Sequence, residues 1–284
     1  MVLHSQIKQV FLKAKGKVFT IQNLASSYDK ITYNYNDYFY RELAGSYEEL
    51  LLLLGSTKDK KILDLGCGPG WFGKIFFDRQ SPHLYHGIDI SNGMIYQANK
   101  TLSNIKNVKL EKGDFTEILG QIPANHYDFV INTWSLKFNN YKYLMPRILK
   151  VLKPGGKFAL LTETADSESL VNQSIQKVIE NNINLIERTI PNTYLPLDSH
   201  DLTRIFNISG FSRTMVYSKS QNFTFRTMEE MVKWINFSGL LVGWDKLLDF
   251  DDSQITKDFS LLLNKNLPNN YKITKRYLGA IAQK

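Results

Sequence analysis

A single cysteine, Cys67, occurs in this chain of 284 residues, so no disulfide can form within it. A lone thiol suits a reducing compartment, and a cytoplasmic location is expected. Long apolar runs are missing too. Leu50 to Leu54 is only five residues, far short of the ~20 that a membrane-spanning helix needs. The N-terminal stretch carries Lys8, Lys13, Lys15 and Lys17 but no apolar segment of the secretory type, which points away from a signal peptide. There is no arginine-rich block. Lys58, Lys60 and Lys61 cluster, yet no aromatics alternate with them as in a groove for single-stranded nucleic acid. No Cys/His spacing suggests a metal site, and no repeat or low-complexity linker divides the chain.

What remains is a composition of the soluble globular kind, 43% hydrophobic and 22% charged. The formal net charge is +8. Such an excess favours an acidic partner (nucleic acid, an anionic membrane, an acidic carrier protein or an anionic small molecule) or simply spreads lysines for solubility.

Apolar strand patterns alternate with helical ones through the middle of the chain. Strands are expected at 61–65, 85–90, 108–112, 127–132 and 157–162, and helices at 71–78, 94–102 and 141–152, the last containing Pro146. This rhythm implies a doubly wound, mostly parallel sheet of the Rossmann-like kind. Residues 1–55 read as a partly helical lid segment that holds a tyrosine-rich stretch, Tyr28 to Tyr40, and a helix at 46–54. Residues 56–165 read as the cofactor-binding core. Residues 166–284 read as cap helices plus two further strands, at 211–225 and 272–282, which bring the sheet to seven. Helices are expected there at 168–187, 200–209, 227–237 and 255–263, with Thr227 and Glu230 as a capping box.

The glycine-dense turn Asp64-Leu65-Gly66-Cys67-Gly68-Pro69-Gly70-Trp71-Phe72-Gly73 follows the first strand. Such a turn points backbone amides at a bound small molecule. Two frames fit. Gly68 to Gly73 matches G-x-G-x-x-G, with Asp89 following at the ~20-residue distance of a dinucleotide site. Gly66-x-Gly68-x-Gly70, with Asp64 inside the strand, is a second frame. Ligands in such sheets bind beyond the C-terminal strand ends. Asp64, Asp89, Asp114 and Asn132 all fall at or near those ends. A carboxylate at Asp89 can accept from both ribose hydroxyls.

The D-L-G-C-G-P-G stretch resembles motif I of the class I S-adenosylmethionine (SAM)-dependent methyltransferases. Gly113-Asp114-Phe115, Tyr127 to Trp134 and Leu152-Lys153-Pro154-Gly155-Gly156 resemble further motifs of that family. The resemblance implies SAM as cofactor. It implies Asp64 near the methionyl ammonium, the glycines Gly66, Gly68 and Gly70 beside the amino-acid part, and Asp89 on the ribose. Asp114 would accept from the adenine amino group, with Phe115 on the ring, and Asn132 and Trp134 would lie beside the reactive methyl. Cys67, Trp71, Ile90, Met94 and Tyr28 complete the expected cofactor contacts.

The wider layout resembles the small-molecule branch that includes the trans-aconitate, juvenile-hormone-acid and malonyl-carrier-protein methyltransferases, which methylate carboxylates. The resemblance thus implies O-methylation of a carboxylic acid, free or carrier-bound. Where those relatives often show Leu-His-Trp, this chain has Leu136-Lys137-Phe138. Lys137 and His200 are the candidates for substrate anchoring or base chemistry, and Trp234, Phe237 and Trp244 suit an apolar pocket. Two other readings stand beside this one. In a nucleic-acid methyltransferase an N-P-P-Y-like turn is expected where this chain has Asn132-Thr133-Trp134-Ser135. A methyltransferase-fold protein could also bind SAM without transferring the methyl, as a natural-product cyclase does.

Overall fold

The computed structural model describes residues 2–79, 81–267 and 271–284, with residues 2–5 and 39–41 described by their backbone alone. Two helices, α1 (Val2–Ala14) and α2 (Ile21–Tyr35), lead through a π-helical turn, Asn36–Tyr40, into α3 (Arg41–Leu54). Helix α3 thus begins five residues earlier than its apolar run suggests. The Tyr40 side chain of the tyrosine-rich stretch lies outside the described residues.

Next come β1 (Lys61–Leu65), α4 (Trp71–Arg79), β2 (Leu84–Asp89), α5 (Asn92–Thr101), β3 (Val108–Lys112) and α6 (Phe115–Gln121). They are followed by β4 (Tyr127–Thr133), α7 (Tyr141–Val151) and β5 (Leu152–Glu163). The remainder is α8 (Ser169–Asn181), α9 (Ser199–Ser209), β6 (Ser212–Thr224), α10 (Met228–Phe237), α11 (Ser253–Asn266) and β7 (Lys272–Gln283).

The strands form one seven-stranded sheet in the order β3-β2-β1-β4-β5-β7-β6. β1 to β5 run parallel, and β7 runs antiparallel to both β5 and β6. The reversal of strand order beside β1 and β4 opens a crevice at their C-terminal ends. Side chains alternate across the sheet. On one face Ile62, Tyr85, Ile131 and Leu161 pack with Leu50, Phe76, Ile175, Ile235 and Phe259 from α3, α4, α8, α10 and α11. On the other, Leu63, Val130 and Leu160 pack with Leu119, Ile148 and Phe206 from α6, α7 and α9. Central strands covered on both faces explain why they read as nearly continuous apolar runs.

Three local outcomes differ from the sequence pattern. Helix α6 has no counterpart among the expected helices; Asp114 caps it by accepting from the Thr116 N–H at 2.8 Å. The helix expected over 168–187 stops at Asn181, because the Asn182 side chain bonds the Val178 carbonyl at 2.9 Å and competes with the next helical turn. Ile183 and Ile186 are buried from a 3₁₀ turn and the chain after it. At α10, Thr227 Oγ1 accepts from the Glu230 N–H, but the Glu230 carboxylate accepts from Arg226 N–H, one residue before the expected partner.

Candidate active site

The turn after β1 is fastened to β2 first. The N–H groups of Gly66 and Cys67 both donate to the Ile88 carbonyl, at 2.8 and 2.9 Å. The next N–H, that of Gly68, donates to Asp89 Oδ2 at 2.9 Å, and the Ser91 N–H donates to Asp89 Oδ1 at 2.9 Å. Asp89, the last residue of β2, is thereby held rigid, with one backbone bond on each oxygen and lone pairs left over. Burial pushes its pKa up to about 6, against the pull of the Ser91 and Gly68 N–H groups. Gly66 and Gly68 adopt left-handed φ of 78° and 53°. A Cβ on Gly66 would strike Ser135 Oγ, whereas one on Gly68 would point into open space. That open space belongs to a cavity.

The cavity holds about 1120 Å³ of empty space. That volume includes the space open to solvent at its mouth. One half is walled by Gly66, Gly68, Asp89, Ile90, Met94, Asp114, Phe115 and Ser135. The other half is walled by Trp134, Lys137, Phe138, Glu163, Phe223, Trp234 and Lys275. Helix α2 and the π turn close the top with Ile21, Leu24, Tyr28, Tyr35 and Tyr38. Asp29 fastens α2 to the start of α5, accepting from Ser91 Oγ at 2.6 Å and from the Gly93 N–H at 2.8 Å. Burial raises the Tyr28 and Tyr35 phenols, so both keep their protons at neutral pH.

Of the expected cofactor residues, the main cavity therefore gathers Tyr28, Gly66, Gly68, Asp89, Ile90, Met94, Asp114, Phe115 and Trp134. Cys67 and Trp71 line an adjoining hollow of about 350 Å³ that shares Gly66, Gly68, Tyr35 and Thr133 with it. Burial raises the Cys67 thiol well above its ordinary range, with Asp89 and Asp64 adding to the shift, which keeps it in the thiol form at neutral pH.

Three residues expected at the cofactor do not line the cavity. Gly70 approaches the Ala98 backbone, with a left-handed φ of 82°, and serves helix packing. Asn132 is buried; its Nδ2 donates to the Leu65 carbonyl at 2.9 Å and to Ser135 Oγ at 2.7 Å, which braces the turn from below. Asp64 is wholly buried one layer beneath the turn. Its Oδ2 accepts from the Tyr85 hydroxyl at 2.6 Å, and its Oδ1 has no hydrogen-bond partner among the described residues. Burial pushes Asp64 up to about 7, the Tyr85 bond opposing and Asp89 adding. His200 lies exposed on α9, away from the cavity lining, and no described histidine side chain lines it.

Among the lining residues that the sequence does not single out are two charged ones, Glu163 and Lys275. The Lys275 ammonium, 3% exposed, pairs with Glu163 and with Glu168 at 2.8 Å, and lies 5.2 Å from the Trp134 ring centre. Burial opposes ionisation of Glu163, but Lys275 and then Lys137 overcome it and hold the carboxyl below its ordinary range. Glu168 moves up instead, through burial and the charge of Glu163. Trp134 takes a left-handed φ of 62°, uncommon for a bulky residue, and its N–H donates to the Leu161 carbonyl at 2.9 Å. Glu163 ends a parallel strand, so the strand-end rule that picked out Asp89 also reaches it.

The donor set fits SAM: a fixed carboxylate with spare lone pairs, glycine backbone open to the cavity, and the apolar side chains of Met94 and Phe115 on the cavity wall with Asp114. Comparison with known proteins agrees. A methyltransferase-domain family model matches residues 56–210. An uncharacterised methyltransferase of Bacillus subtilis is 31% identical over 118 residues, 41% of this chain and 63% of that protein; the match thus spans less than two thirds of the relative's length. Among solved structures, a putative methyltransferase of Bacillus halodurans superposes with a TM-score of 0.58 at 15% identity, covering 84% of this chain and 99% of the other. A geranyl diphosphate methyltransferase in complex with SAM superposes with a TM-score of 0.53 at 13% identity, covering 86% and 87%. The seven-stranded sheet, the fixed carboxylate beyond β2 and the matched family model lead to one assignment: the chain belongs to the SAM-dependent methyltransferase-domain family.

Proposed function

We propose that this protein transfers a methyl group from SAM to a small acceptor with an apolar body, and that the group methylated is a carboxylate. The observation that supports the reading is a single cavity lined both by Gly66, Gly68, Asp89 and Asp114 and by the aromatic residues Trp134, Phe138, Phe223 and Trp234, with Lys137 at its wall. When bound, SAM supplies an electrophilic methyl on a sulfonium centre. Asp89 holds the ribose through the lone pairs that Gly68 and Ser91 leave free. Asp114, Met94 and Phe115 bracket the base. Asp64 lies beneath the floor and does not touch the methionyl end.

In the other half, Trp134, Phe138, Phe223 and Trp234 enclose the acceptor and exclude water. Lys137 anchors an acidic group as a point charge. Base chemistry is poorly supplied. No described histidine lines the cavity, and Glu163 is held ionised by Lys275, which makes it a weak proton acceptor. An alcohol or phenol needs a base, and a carboxylate does not. The geranyl diphosphate methyltransferase named above takes an acceptor with an apolar chain and an anionic head; the aromatic wall and Lys137 suit the same design here.

The test is labelled-methyl transfer across carboxylic acids, phenols, amines and transfer RNA. Apolar carboxylic acids are expected to accept, and Lys137→Met should raise their KM about tenfold or more while SAM affinity stays unchanged. Transfer to phenols or RNA but not to acids would overturn the reading.

A further inference from the structure

Helix α1 presents its apolar stripe on the outside. Ile7, Val10, Phe11 and Ala14 recur at i, i+3, i+4 and i+7 and so share one face. In a helix that serves only the core, this face would turn inward. Here Ile7, Val10 and Phe11 are 59, 70 and 50% exposed, while Leu12 on the opposite side is buried. The orientation is fixed. Gln9 Oε1 accepts from the Ile190 N–H at 2.7 Å, the Thr189 N–H donates to the Lys17 carbonyl at 3.0 Å, and the Phe19 N–H donates to Thr189 Oγ1 at 3.0 Å.

Lysines flank the stripe on both sides, Lys8 and Lys15 on one and Lys13 on the other, as the helical turn angle places them. The Lys15 ammonium stands over the Phe11 ring at 4.3 Å from its centre. Lys17 and Arg188 are exposed at the junction that the Thr189 bond makes, with Glu187 the acidic residue of that stretch.

We infer that this face docks on an anionic lipid bilayer. The apolar stripe would enter the acyl boundary while the flanking ammonium groups reach the phosphates. Charge complementarity selects this occupant, since each lysine near an anionic surface adds to the attraction. A second copy of the chain fits poorly: both flanks are basic, so a two-fold contact through the stripe would set lysines against lysines. The exposed apolar run also leads to the cavity. Val18 and Ile21 continue it, and Ile21 and Leu24 line the cavity roof. The docking face stands whether or not the acceptor is a carboxylate.

The experiment is flotation of the full chain with vesicles of equal phosphatidylglycerol and phosphatidylcholine, and with phosphatidylcholine alone, at 0.1 M salt. Binding is expected to the anionic vesicles only, and should weaken about tenfold or more in Val10→Glu, Phe11→Glu and the double substitution Lys13→Ser/Lys15→Ser. All these side chains are exposed, so SAM binding by calorimetry should match that of the unaltered protein and shows that the fold and cofactor site are intact. Absence of flotation with anionic vesicles would overturn the proposal. So would flotation insensitive to Phe11→Glu, or a solution dimer that Phe11→Glu dissociates without any vesicle binding.

Discussion

Asp89→Asn separates the chemistry of the cofactor site from its architecture. In the native chain each Asp89 oxygen takes one backbone N–H, at 2.9 Å, and in the proposed SAM complex the remaining lone pairs accept from the ribose. Asparagine keeps one such oxygen and turns the other into a donor facing an N–H. Losing the charged acceptor from two ribose bonds, at about 1.5 kcal/mol each, weakens SAM by about 3 kcal/mol, or roughly a hundredfold. Stability moves less. The Asp89 pKa is raised to about 6, so between pH ~4 and 6 the folded chain holds a proton that the unfolded chain has lost. Its contribution to ligand-free stability therefore falls as pH rises through that window. Removing the charge relieves this cost at neutral pH and offsets the mismatched donor. Calorimetry from pH 5 to 8 provides the assay. Native affinity should rise with pH to about 6 and then level, because SAM binds the ionised carboxylate. In Asp89→Asn that step should vanish, with affinity some hundredfold lower at pH 7.5 and the melting temperature changed by only a few degrees. A dissociation constant within threefold of native, or a step at pH 6 that survives the substitution, would refute the reasoning.

Asp64→Asn should stabilise the ligand-free protein above neutral pH. Its pKa is raised to about 7, so stability is lost as pH rises from about 4 to 7, and asparagine, which still accepts from Tyr85, should recover about 4 kcal/mol at pH 8 but only about 1.5 kcal/mol at pH 5. Melting curves at the two pH values check this, and equal pH responses of the two proteins would count against it. Lys275→Met leaves Glu163 and Glu168 buried without their cation and should cost about 3 kcal/mol or more in urea unfolding. The deficit should shrink toward pH 4 as the carboxylates protonate; a loss below about 1 kcal/mol at pH 7.5 would remove the pair from the account of the fold.

The cofactor half was legible because glycines and strand ends carry its chemistry locally. Asp89 is the final residue of β2, and Asp114 caps α6 just beyond β3, so both reach the crevice. Asp64 and Asn132 satisfy the same rule only approximately. Each sits one residue inside its strand, and there the pleat decides which way a side chain faces. Asp64 shares its face with Tyr85 and is drawn into the layer under the turn. Helix α6 was hidden because Gly113-Asp114 also signals a turn, yet Asp114 followed by Glu117 has the spacing of a helix start.

The acceptor half was harder to read for a topological reason. Lys275 stands at the beginning of a strand, where the rule for parallel sheets predicts nothing. β7 runs against its neighbours, with Glu163 opposite Tyr277, so its start lies at the edge where the parallel strands end. That one reversal carries a buried ammonium next to Glu163 and Trp134 and removes the proton affinity Glu163 would otherwise offer. The strand direction thus bears on substrate choice. With its carboxylate held ionised by Lys275, this side of the cavity is, on the proposed reading, matched to an acceptor that arrives already ionised. On the proposed reading, Lys137, whose charge also reaches Glu163, is the ammonium besides Lys275 among the described lining residues and meets that acceptor.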